Sequence, residues 1–188
     1  IDERTMSAEK KKETGAHMTE KHNIWPMIVM LAILCGMIQV PRGLAMDDDV
    51  IKLGIEAKAE KTVRLHGTKV QVHVENGFVI LSGTVRFYRQ KMLFERITWQ
   101  TMGVAEVDNE IVVVPRVALS DAAIKDRIIE IVRTFSRFHG AGVSVTVNGG
   151  AVTLRGTFGH PLDVQFLKNQ VADIEGVIAL EMLAALRT

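Results

Sequence analysis

Strict alternation is the plainest signal along this chain. Val70, Val72 and Val74 are separated by polar residues, Asn76-Gly77 follows, and Val79 and Leu81 resume the alternation. Period-two apolar placement argues for half-buried strands, and Asn-Gly permits the positive φ angles of a two-residue type I′ turn. That register sets Val74 opposite Val79 and Val72 opposite Leu81 on one buried face. Gly149-Gly150 does the same for Val147/Val152 and Val145/Leu154. Upstream of each hairpin the period becomes helical. Asp47 or Asp48, and Ser120 or Asp121, offer side-chain oxygens to the first amides of a helix. Ile124, Ile128, Ile131 and Phe135 recur at the spacing of a buried helical stripe. Gly67 and Gly140 are expected to end these helices, with His66 and His139 placed where a cation suits the C-terminal dipole. After Gly83 and Gly156 a second helix is expected over 87–102 and 162–175. Gly103-Val104 and Gly176-Val177 then lead into a closing strand, clear in 111–114 but weaker in 183–186, whose Leu and Ala favour helix.

These signals occur twice because the chain is one unit written twice. A shift of 73 residues aligns 48–114 with 121–187 without a gap, and 17 of the 67 pairs are identical. Unrelated sequences of this composition would match at about four. The identities fall at structural positions, among them the glycine pairs Gly77/Gly150, Gly83/Gly156 and Gly103/Gly176. The expected fold is α+β: two tandem copies of an α-β-β-α-β unit, each a small three-stranded mixed sheet with two helices on one face. The expected domains span 46–115 and 120–188, joined by a short linker at 116–119.

Residues 1–45 follow a different pattern. No charged residue occurs over 24–40, Lys21 precedes this run, and Gly43-Leu44-Ala45 closes it with small residues. That is the plan of an export signal cleaved after Ala45. A retained inner-membrane anchor is the alternative, although the uncharged run is short for a span of about 20 residues. Cys35 lies in the middle of the apolar run without a lipoprotein signature before it, so acylation is not expected. Export would place the mature chain in the periplasm.

Composition adds exclusions. The 188 residues carry 23 Lys+Arg and 22 Asp+Glu, a net charge of +1, which argues against a dedicated nucleic-acid binder. One cysteine excludes a disulfide framework or a Cys-rich zinc site. His66, His73, His139 and His160 show no metal-ligand or nucleophile–base spacing. Asp47-Asp48-Asp49 reads as helix capping rather than a cation loop, which would need alternating ligands. The reading is a non-enzyme without cofactor or metal.

The hairpin Val-x-Val-x-x-Gly-x-Val-x-Leu-x-Gly, then a helix, Gly-Val and a last strand, resembles the BON domain across essentially all of 48–188. Departures are Thr98 and Thr101 in the second helix of the first copy, and Met182 in the closing strand of the second. The resemblance implies an envelope location, no catalysis, and binding of anionic phospholipid or envelope proteins, in osmotic or envelope stress. It also points to the first helix of the second copy, where Lys125, Arg127, Arg133 and Arg137 are the candidate lipid contacts and Phe138 a ring to insert. A second candidate surface is Arg86, Tyr88, Arg89 and Lys91, where cations and rings together suit an anionic membrane interface. The alternative function is a protein-interaction or chaperone-like adaptor without lipid affinity.

Overall fold

The computed structural model describes residues 46–187. The export signal, its cleavage after Ala45 and Cys35 lie outside the described residues. Each repeat runs helix, strand, strand, helix, strand, and both fall within one compact unit. The first repeat comprises α1 (Asp48–Glu60), β1 (Lys69–Glu75), β2 (Phe78–Val85), α2 (Tyr88–Trp99), β3 (Glu106–Asn109) and β4 (Val112–Val113). The second comprises α3 (Asp121–Thr134), β5 (Ser144–Asn148), β6 (Ala151–Phe158), α4 (Pro161–Ala172) and β7 (Ala179–Leu186).

The hairpins keep the register set by alternation. Val74 pairs with Val79 and Val72 with Leu81, and the equivalent pairs recur in β5/β6. Asn76 and Gly77 sit at φ 52° and 78°, and Gly149 and Gly150 at 55° and 81°, as a type I′ turn demands. The closing strand joins in parallel on the far side of the middle strand, so the order in each sheet is that of the sequence. Phe78 faces Glu106 and Ala151 faces Ala179, the same register in both repeats. In the first repeat the closing strand starts earlier than expected and breaks at Glu110-Ile111 into β3 and β4. Ile111 turns into the core there, 2% exposed, and its carbonyl takes the Lys91 ammonium at 2.8 Å. In the second, Leu183–Leu186 continues β7 despite its helical composition, because pairing with β6 overrides propensity.

Two helices cover one face of each sheet. Ile51 and Ile55 from α1, and Ile124 and Ile128 from α3, are sealed against the strands, while Ile131 and Phe135 are half-buried at the core edge. One expectation about these helices fails. They end at Glu60 and Thr134, and each is followed by a short 3₁₀ turn, Val63–Leu65 or Ser136–Phe138, before the glycine. The turn swings Leu65 or Phe138 inward, 4% and 2% exposed, which a continued helix would not do. In the first repeat the Thr62 hydroxyl also donates to the Lys58 carbonyl, competing with the helical ladder. His66 still reaches the helix end, its Nε2 lying 2.6 Å from the Glu60 carbonyl. Thr98 and Thr101 are buried, with hydroxyls donating to Phe94 and Ile97 carbonyls one turn back. The duplicated Gly83 and Gly156 do not share a backbone: only Gly83 has positive φ, at 125°.

Candidate anion-binding surfaces

α3 begins where the Ser120 hydroxyl accepts from the Ala123 amide. Lys125, Arg127 and Arg133 are exposed and, among the described residues, make no ion pair or hydrogen bond. They do not form one cationic face. Residues two apart on a helix point to opposite flanks, so Lys125 and Arg127 diverge, and exposed Asp126 and Glu130 intervene. Ile129, 37% exposed, is the large apolar residue between them. The remaining two candidates are already engaged. Arg137 lies 3.6 Å from the Asp163 carboxylate and 4.5 Å from the centre of the Phe166 ring. Phe138 is no insertion ring. It packs edge-on to Phe135 and Phe158, with centroids 6.2 and 6.4 Å apart, inside the second core.

The second candidate surface is not a membrane face, because it forms the seam between the repeats. The Arg86 fork grips Glu175, beyond α4, at 3.0 and 2.6 Å. One oxygen of Glu175 also accepts the Arg116 and Val117 amides, so the connecting segment is tied to the same carboxylate. These donors, Arg86 first, hold Glu175 down to about 2 from its ordinary 4.5. Tyr88 packs against both cores, and burial raises its phenol above the usual range. Lys91 is the residue bound to the Ile111 carbonyl. Beside the ion pair, Arg64 meets both oxygens of Asp173 at 3.1 Å. Between these contacts lies an open cleft of about 450 Å³, lined by Arg64, Phe87, Arg89, Gln90 and Asp173. Arg89 enters it with Nε and Nη1 buried and unpartnered.

Two carboxylates that sequence reasoning took for caps have another task. Asp47 does cap α1, accepting the Asp49 amide at 3.0 Å. Asp48 instead reaches the hairpin, where its oxygens accept the Asn76 and Gly77 amides at 2.7 and 2.9 Å. Asp121 repeats this on Gly149 and Gly150, at 2.8 and 2.9 Å. Their identity across the repeat was the signal that could have found them.

The model of the BON domain matches this sequence twice, over residues 47–115 and 120–180. The chain belongs to the BON-domain family. BON domains are associated with the bacterial cell envelope and are not a catalytic family. No curated protein matches the chain. Among solved structures, it is similar to the C-terminal domain of CdsD, a structural protein of the type III secretion system of Chlamydia trachomatis. The identity is 18% and the TM-score 0.33, over 76% of this chain and 68% of that one. A second CdsD structure gives 17% and 0.31, over 76% and 64%. At these scores the likeness carries no inference about what either BON domain here binds. Among the described residues no helix is long and apolar enough to cross a membrane, and no group of His, Cys, Asp and Glu is placed to hold a metal ion.

Proposed function

We propose that this is a non-enzymatic periplasmic protein that binds anionic phospholipid headgroups through the α3 side of its second BON domain, in osmotic or envelope stress. The observation that carries this reading is the set of exposed cations Lys125, Arg127 and Arg133 around one helix, with Ile129 exposed among them. Each basic residue near a negative surface contributes about 1 kcal/mol, and Asp126 and Glu130 set part of that back. The interaction is therefore weak and salt-sensitive. Arg137 belongs to this surface only secondarily, since Asp163 already neutralises it.

The test is co-sedimentation with phosphatidylglycerol vesicles and with zwitterionic vesicles, at low and physiological salt. Binding should require the anionic lipid and weaken with salt. Arg127→Glu with Arg133→Glu should reduce it about tenfold or more and leave thermal stability nearly unchanged, because exposed charges contribute little to folding. The edge strand β7, with Leu183 and Leu186 exposed, favours a second reading as an adaptor for an extended segment of another envelope protein. Indifference to lipid charge would favour that reading and discard the first.

A further inference from the structure

The seam between the BON domains holds a guanidinium whose hydrogen-bond donors the protein leaves partly unmet. Arg89 projects from the first turn of α2 into the cleft, and its Nε and Nη1 atoms have neither water access nor a hydrogen-bond partner. Burial lowers its pKa from the ordinary value, Arg64 and Arg96 add repulsion, and Asp173 supplies the opposing attraction. Asp173 is already shared, because both of its oxygens face Arg64. Gln90 is shared too. Its Oε1 accepts the Arg86 and Phe87 amides at 3.0 and 3.1 Å, and its Nε2 donates to the Arg64 carbonyl at 2.8 Å. The side-chain acceptors that line the cleft thus serve other donors, while two guanidinium groups, Arg64 and Arg89, share one carboxylate there.

Guanidinium nitrogens kept from water without an acceptor leave strong donors unsatisfied, a costly arrangement in a folded protein. It is relieved by an anion that accepts from the planar fork, and oxyanions fit that fork best. We propose that the inter-domain cleft is a binding site for a phosphate group, held by Arg89 and Arg64. The cleft carries a surplus of one positive charge, which favours an oxyanion, and phosphate presents acceptors enough for both guanidinium forks. The volume of about 450 Å³ admits a phosphate ester with its organic part, and Phe87 gives that part an apolar wall. The site is separate from α3 and stands whether or not α3 touches lipid. The ligand source is either a soluble phosphate ester or a lipid headgroup.

The experiment is thermal unfolding of the full chain, titrated with inorganic phosphate or glycerol 3-phosphate in place of chloride at constant ionic strength. Co-sedimentation with phosphatidylglycerol vesicles runs in parallel. The wild type should show a saturable rise in Tm that chloride does not give. Arg89→Met, which keeps the volume and removes the charge, should abolish the rise. Arg64→Gln, at a largely exposed side chain, should weaken binding roughly tenfold, as loss of a charge-assisted pair predicts. Arg127→Glu with Arg133→Glu should respond to phosphate as the wild type does. A response to free phosphate with vesicle binding unchanged in Arg89→Met assigns the site to soluble esters. Loss of vesicle binding in Arg89→Met with no response to free phosphate assigns it to a headgroup. A phosphate response that survives Arg89→Met, or no effect in either assay, overturns the proposal.

Discussion

Asp121 offers a direct measurement of what holds helix to hairpin. Its carboxylate accepts from Gly149 at 2.8 Å and from Gly150 at 2.9 Å, the first bond exposed and the second half-buried. Hydrogen bonds to a charged group contribute about 1.5–3 kcal/mol when well shielded, so about 2 kcal/mol for the two together is reasonable after discounting for water. Asn has one carbonyl where Asp has two acceptors, and its NH₂ would face a second N–H. Asp121→Asn should therefore lose more than half of that figure. It also loses about 0.5 kcal/mol of interaction with the α3 dipole. The expected cost is about 2 kcal/mol. Urea unfolding should show a lower midpoint at unchanged slope, the mark of lost stability without a changed denatured state. Asp48→Asn should cost a similar amount in the first repeat, and the double variant should be close to additive for sites in separate repeats. The control is Asp49→Asn. Asp49 shares the first turn of α1 but does not reach the hairpin, so only the dipole part of about 0.5 kcal/mol is at risk. If Asp121→Asn costs no more than Asp49→Asn, the contact to the turn carries no energy and the reasoning fails.

Further measurements follow from other contacts. Glu175 is held down to about 2, so its contribution is complete above pH 4.5 and disappears as pH falls from there through about 2. The Tm difference between the wild type and Glu175→Gln should shrink over that window; a constant difference would mean the ion pair does not couple to folding. Gly83→Ala should cost about 3–5 kcal/mol, because a Cβ there meets the Lys69 carbonyl at positive φ. Its repeat counterpart Gly156→Ala, at ordinary φ with 3.2 Å to the Ala141 carbonyl, should cost about 1 kcal/mol in the same unfolding assay. Equal costs would contradict the backbone difference. Phe138→Ala should lose about 3–5 kcal/mol by calorimetry or urea, as removal of a sealed ring does. A near-neutral result would return Phe138 to the surface.

Alternation and turn chemistry made the hairpins legible to the residue, since a slip of one position would have turned every valine outward. The duplication made the fold class legible, because each weak signal was read twice. What stayed hidden depends on contacts distant in sequence. Asp48 and Asp121 looked like caps, since nothing local says that a carboxylate reaches a turn 28 residues on. Leu65 and Phe138 lie one helical period beyond the stripe, and only the core they fill explains the 3₁₀ turns. The candidate sites fared worst for the same reason. Arg86, Tyr88 and Arg89 form a basic aromatic cluster in sequence, and their partners Glu175, Asp173 and the second core lie some 90 residues away. A surface in one repeat is indistinguishable from a seam until the other repeat is in place.

That seam joins unlike faces. Moving 73 residues along the chain carries Arg86 and Arg89 to Gly159 and Leu162, and moving back carries Glu175 and Asp173 to Met102 and Gln100. A two-fold association buries the same patch twice, whereas this union is head to tail and leaves one head and one tail uncovered. The free counterparts are not charged. Met102 and Trp99 are 77% and 52% exposed on the first repeat, and Leu162 is 67% exposed on the second. Divergence after duplication has therefore given the molecule a direction. A free end offers Arg86 no carboxylate and Glu175 no guanidinium, so a stray copy cannot displace the neighbour within the chain without stranding both charges.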